Sequence, residues 1–147
     1  MMVRGIYMKK PILFLFLLLL MASSTATCDV MIISNKSVPN SSFSKQDIKD
    51  IFFGKKLYWD DKTKITIATL NQGDITESFL KTYLNQNSKQ YDSYWEKKIF
   101  TGDKNAPIRF KTSKQMLDYI TNTKGAIGFI DAKTPIQYVK IITVDEK

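Results

Sequence analysis

The side chains that most enzymes use to make and break bonds are scarce in this chain. Its 147 residues include no His and a single Cys, at position 28. Without His there is no common general base, no imidazole metal ligand, and no Ser-His-Asp or Cys-His nucleophile. One Cys allows neither an internal disulfide nor a Cys-based zinc cluster. Asp60 and Asp61 come nearest to a catalytic carboxylate pair, but adjacent side chains diverge, and together with Lys62 they read as a solvated turn. The residue types predict a non-enzyme with no catalytic residue, no metal and no cofactor.

Charge is the next chemistry on offer. There are 22 Lys and Arg against 14 Asp and Glu, a net +8. The basic residues are spread along the chain, with Lys55-Lys56 and Lys97-Lys98 the adjacent pairs beyond the first segment, and they are lysines except for Arg4 and Arg109. Nucleic-acid binding calls for cations gathered on one face, so the sequence predicts no nucleic-acid partner. The charge reads instead as solubility with a mild attraction for anions.

The first segment reads as an address, not as fold. Arg4, Lys9 and Lys10 precede the apolar run Ile12 to Ala22, and Ser23, Ser24, Thr25 and Ala26 follow. A basic start, a short apolar stretch and a small-residue exit describe a secretory signal, and the run is shorter than the roughly 20 residues of a membrane span. The predicted division is a signal peptide over residues 1–27 and a domain over 28–147, with Met1 or Met8 as the start. Cys28 behind Thr25-Ala26-Thr27 resembles a bacterial lipoprotein box whose first and third positions match poorly. Two fates for it stay open: lipidation at Cys28, or a free cysteine after cleavage behind Ala26. Either way the expected location is the periplasm or extracytoplasmic envelope, with the membrane reached only through such a lipid anchor. Without residues 1–27 the chain keeps 19 basic against 14 acidic residues, a net +5.

The elements that must position any site follow from periodicity. Val30-Met31-Ile32-Ile33 is a buried strand, and the stretch from Ser37 to Ser42 is a loop. Ser44 with Asp47 gives a capping-box spacing ahead of Ile48, Ile51 and Phe52, and Gly54 supplies the stop. Lys64 to Leu70 alternates as a strand bounded by Asn71-Gln72-Gly73. Asp74 with Glu77 repeats the cap-and-acid pattern before the stripe Ile75, Phe79, Tyr83 and Leu84. Ser88 is expected to cap a third helix carrying Tyr91, Trp95 and Ile99, and Ser113 a fourth with Met116, Leu117 and Ile120 inward. Ala126 to Ile130 and Val139 to Val144 are strands. Helices alternating with strands make one α/β domain with a small mixed or parallel sheet.

The order of these pieces resembles a known family. The run from Phe43 through Ile51-Phe52-Phe53-Gly54, then Trp59-Asp60-Asp61, is similar to the "I-F-x-G, W-x-D" segment of phosphate-type ABC transporter substrate-binding proteins. Phe79, Trp95, Phe100-Thr101-Gly102 and Gly125-Ala126-Ile127-Gly128-Phe129-Ile130 keep that family's order over Val30 to Val144. The resemblance implies one lobe of a type 2 periplasmic-binding-protein-like fold, in a short single-domain member. Read for themselves, Ile51 and Phe52 are core residues, Trp59 and Trp95 are packing aromatics before they are ligand stackers, and Gly125 and Gly128 permit tight backbone approach.

The ligand-binding pattern departs from the family at a definite place. There the strand enters a helix through an Arg and a Ser-Gly-Thr turn, whose amides and helix dipole hold an oxyanion. Here the matching stretch is Thr69 to Thr76, the Arg is missing, and Asp74, taken as the cap, would occupy the first-turn amides and repel an anion. What remains for a ligand is Asn71, Gln72, the Gly73 amide and the Thr76 hydroxyl. Ser34 and Asn35 at the end of the first strand, with the Ser41-Ser42 loop, are further polar groups for a crevice. About 120 residues make one lobe where two usually clamp the ligand. The resemblance therefore implies an exported solute-binding-like protein with weak or lost binding of a small oxyanion such as phosphate, and a membrane permease or sensor as partner. The alternative is an envelope protein-interaction or structural domain that keeps the fold without a ligand.

Overall fold

The structure is a computed structural model, and it describes residues 28–146. The expected signal peptide over residues 1–27, with its expected cleavage behind Ala26, lies outside the described residues. Six strands form one sheet: β1 (Val30–Asn35), β2 (Ser42–Ser44), β3 (Thr66–Leu70), β4 (Ile108–Phe110), β5 (Ala126–Asp131) and β6 (Val139–Asp145). Their spatial order is β2-β6-β1-β5-β3-β4. The parallel pairs are β3 with β4, β3 with β5, and β2 with β6. Central β1 runs antiparallel to both its neighbours, with Ile32 opposite Phe129 on β5 and Ile142 on β6. The sheet is therefore mixed.

Four helices cover it: α1 (Lys45–Phe52), α2 (Asp74–Phe79), α3 (Ser88–Phe100) and α4 (Ser113–Asn122). The backbone of α2 runs on as a five-residue π-helical turn, Leu80–Leu84, which buries Leu80 and Leu84. Alternation along β5 assigns the two faces of the sheet. Gly128 lies against Met116 and Ile120 of α4, while its neighbour Phe129 stacks on Phe79, centroids 4.0 Å apart and planes 8° from parallel. Phe52 of α1 closes that aromatic cluster at 4.7 Å from Phe79. The result is an α/β/α sandwich around a single apolar core.

Local sequence accounts for α1 in full. Ser44 accepts from the Asp47 amide, Asp47 accepts from the Ser44 amide, and Ile48, Ile51 and Phe52 are buried. Gly54 ends the helix at φ +65°, and a Cβ there would stand 2.6 Å from the Trp95 ring. That conformation and that contact both call for glycine. Trp59 and Trp95 are core residues, and the Trp59 indole donates to the Gly125 carbonyl at 3.0 Å.

Three expected caps are displaced by one residue. α2 starts with Asp74 as its first residue, and its N-cap is Gly73, with no side-chain cap bond. α3 is capped by Asn87 in a reciprocal box with Gln90, and Ser88 is its first, buried residue. α4 is capped by Thr112, which accepts from the Gln115 amide. Asn caps as well as Ser and Thr somewhat less well, so the preference is small and the register that buries Tyr91 and Met116 decides between them. Tyr91 and Trp95 of α3 are buried, whereas Ile99 is 53% exposed because it lies on the last turn of the helix, beyond the core. Strands β2 and β4, absent from the sequence reading, are three residues each.

Candidate functional site

Parallel strands β3, β4 and β5 end side by side, at Leu70, Phe110 and Asp131. In α/β sheets this carboxyl end is where ligands settle, because helices start there with free amides. A shallow pocket of about 220 Å³ lies there, lined by the run from Leu70 to Thr76 together with Lys111, Ser113 and Asp131. Two helix starts thus meet at one place, α2 through Asp74 and α4 through Ser113. The Ser113 hydroxyl accepts from the Asp131 amide at 3.3 Å.

The Gly73 cap changes what the start of α2 offers. Among the described residues there is no side-chain cap bond at this start, so Asp74 does not cap the helix. The carboxylates of Asp74 and Asp131 nevertheless line the pocket and set two negative charges against the one Lys111. Helix-end attraction and carboxylate repulsion oppose each other here.

The predicted polar residues separate into two groups. Asn71, Gln72, Gly73 and Thr76 come together at this pocket. Thr76 is committed to the fold, its hydroxyl donating to the Asn71 carbonyl at 2.6 Å. Gln72 reaches across to α3, where its amide donates to Asp92 at 3.2 Å. Ser34 and Asn35 lie at the other end of the sheet, because β1 runs against β5 and places Ser34 opposite Ile127 near the start of that strand. Ser34 is fully buried, and Asn35 donates to the Ile120 and Thr121 carbonyls at 2.8 and 3.0 Å while accepting from the Ser37 amide. These are the bonds of a helix stop. The Cys28 carbonyl accepts from Ser78 at 2.9 Å, which ties residue 28 to α2, and its side chain is half-buried.

Several residues at this end were missed by the sequence reading. Arg109 pairs with Thr69 in the β3–β4 register, and its guanidinium meets Asp92 at 2.5 Å. Gln72, Asp92 and Arg109 form a polar strap over a cavity of about 10 Å³ whose wall includes Thr69, Thr76 and Ser88. Among the described residues, the buried hydroxyls of Thr69 and Ser88 have no hydrogen-bond partner. Below them Tyr91 donates to the Phe52 carbonyl at 2.7 Å, and burial holds its phenol well above the usual tyrosine range. Lys111 and Ser113 flank Thr112, so recognising Thr112 as the cap would have pointed to them. Arg109 carried no signal, since its place depends on the three-residue strand β4. Among the described residues no group of three or more His, Cys, Asp or Glu could hold a metal ion.

No family model and no curated protein matches the sequence. Solved structures do match in fold. A phosphate ABC transporter substrate-binding protein with bound phosphate from Clostridium perfringens superposes with a TM-score of 0.62 at 18% identity, over 79% of this chain and 44% of that one. An ABC-type phosphate transport receptor from Vibrio cholerae gives 0.61 at 15% identity, over 78% and 45%. PstS from Borrelia burgdorferi gives 0.61 at 16% identity, over 79% and 47%. The chain spans less than half the length of these proteins, and the mixed α/β domain is similar to one lobe of theirs.

Proposed function

We propose that this protein is an exported, non-catalytic solute-binding-like domain that takes a small oxyanion such as phosphate weakly at the carboxyl end of β3. The reading rests on one observation above all: α2 begins behind Gly73 with no side-chain cap, facing an open pocket at the carboxyl ends of three parallel strands. First-turn amides, with Lys111 beside them, are the groups that hold an oxyanion. The likeness to phosphate-binding proteins supports the same ligand class. Asp74 and Asp131 on the pocket wall, and the engagement of Arg109 with Asp92, account for low affinity. A permease or sensor at the membrane is the corresponding partner, and the periplasm or cell envelope the corresponding location.

Those same carboxylates favour a second reading, an envelope interaction domain that has kept the fold and lost the ligand. Calorimetric titration with phosphate, sulfate and small carboxylates separates the two. The first reading expects heat and a raised melting temperature at millimolar phosphate or sulfate. Silence with every anion, from a protein that melts cooperatively, leaves the interaction domain.

A further inference from the structure

Seven large apolar side chains are exposed among the described residues, and five of them belong to two neighbouring segments: Leu57, Tyr58, Ile99, Phe100 and Ile108. Phe100 is 92% exposed at the last position of α3. The segments are held together at one end of the domain. Lys98 donates to the Phe53 carbonyl and pairs with Asp103 at 3.0 Å. Ile65 donates to the Leu57 carbonyl and shares a groove of about 200 Å³ with Lys64, Lys104 and Ile108. This end carries the starts of β3 and β4, so it lies opposite the pocket at their carboxyl ends.

Its charge differs from that of the rest of the domain. Residues 53–65 and 95–108 hold seven Lys against four Asp or Glu, a net +3 in 27 residues. The other 93 residues of 28–147 hold 12 Lys or Arg against 10 Asp or Glu. Two of the four acids are already paired, Asp60 with Lys56 and Asp103 with Lys98.

We propose that this end docks on an anionic lipid membrane. Phe100, Ile99 and Tyr58 would enter the headgroup boundary, while Lys55, Lys97 and Lys104 lie over lipid phosphates. Charge complementarity selects the partner. Protein interfaces are depleted in Lys, whereas exposed aromatic residues ringed by Lys are the composition of interfacial anchoring. No helix of the described residues is long and apolar enough to cross a membrane, so the contact is peripheral. Docked this way, the Gly73 end faces away from the bilayer and stays open to solutes. The proposal stands whether or not an oxyanion binds there.

The test uses residues 28–147, which include the whole described core, in co-sedimentation with vesicles. Phosphatidylcholine vesicles are compared with vesicles of phosphatidylcholine and phosphatidylglycerol in equal parts. Binding is expected only with phosphatidylglycerol. Phe100→Ser should weaken it about tenfold, and so should Lys97→Gln with Lys104→Gln, or raising salt from about 0.05 to about 0.5 M. All three side chains are exposed, so unchanged melting curves confirm intact folds. No phosphatidylglycerol-dependent binding overturns the proposal, and so does binding that Phe100→Ser leaves unchanged. A self-associated species in light scattering that Phe100→Ser abolishes, without vesicle binding, assigns the face to a second copy of the chain and equally overturns it.

Discussion

Arg109 stands beside Thr69 in the parallel pairing of β4 with β3, yet its guanidinium is engaged by Asp92 at 2.5 Å. The resemblance finds an arginine missing from the β3–α2 turn, and Arg109 lies on the neighbouring strand, held by a carboxylate on α3. Asp92→Asn keeps the shape of this contact and removes its negative charge. Affinity for phosphate should rise about tenfold, because a released cation at a partly desolvated site is worth about 1.4 kcal/mol. Titration calorimetry of the variant against wild type reads this directly, and an unchanged dissociation constant would separate Arg109 from the ligand.

Asn35 is expected to serve stability and not binding. Asn35→Ala removes two donors from the Ile120 and Thr121 carbonyls and the acceptor of the Ser37 amide. Partly buried groups left unpaired in this way cost about 1–3 kcal/mol. Denaturant unfolding should show that loss while any phosphate response stays at the wild-type level. A variant that keeps its stability but loses an anion response would restore Asn35 to the site.

Gly54→Ala should be among the most damaging single changes in the chain. The position combines φ +65° with a Cβ 2.6 Å from the Trp95 ring. Strain and overpacking together predict a loss on the order of 3 kcal/mol in chemical denaturation. A loss below about 1 kcal/mol would show that Trp95 yields easily.

The capping box of α1 should make stability depend on acid. The Ser44 hydroxyl bond chiefly lowers the Asp47 pKa, burial opposes it, and the Ser44 amide and the Lys56 charge add to the lowering. With the folded pKa below the unfolded one, the fold favours the carboxylate. Its contribution is complete above the unfolded value and disappears as pH falls through the folded value. Ser44→Ala should cost about 1 kcal/mol at neutral pH, with the gap narrowing in acid. Thermal melts of both proteins across that range test it, and a gap independent of pH would remove Asp47 from the account.

The sequence was most readable where a segment carries its own instructions. Ser44, Asp47, Ile48, Ile51, Phe52 and Gly54 set the start, buried face and end of α1 within eleven residues, and the structure follows them. β1, β3, β5 and β6 announced themselves as apolar runs. Strands β2 and β4 did not, because three residues have too few alternations to show a period and exist only through their partners. At the caps, Ser88 was the expected start of α3, whereas Asn87 with Gln90 forms the box that the fold uses. The site suffered from a different gap. Nothing local in Val30–Asn35 says that β1 runs against β5, and that direction alone separates Ser34 and Asn35 from Gly73.

The position of β1 also bears on when the domain can come into being. Both of its partners, β5 and β6, lie at the far end of the chain, and Ile32 waits for Phe129 and Ile142 before it is flanked. A sheet whose middle strand is synthesised first and paired last has high contact order and cannot assemble piecemeal from its beginning. Until β5 and β6 have both been made, the central strand lacks its native neighbours, and the domain gains its centre in one late, concerted step.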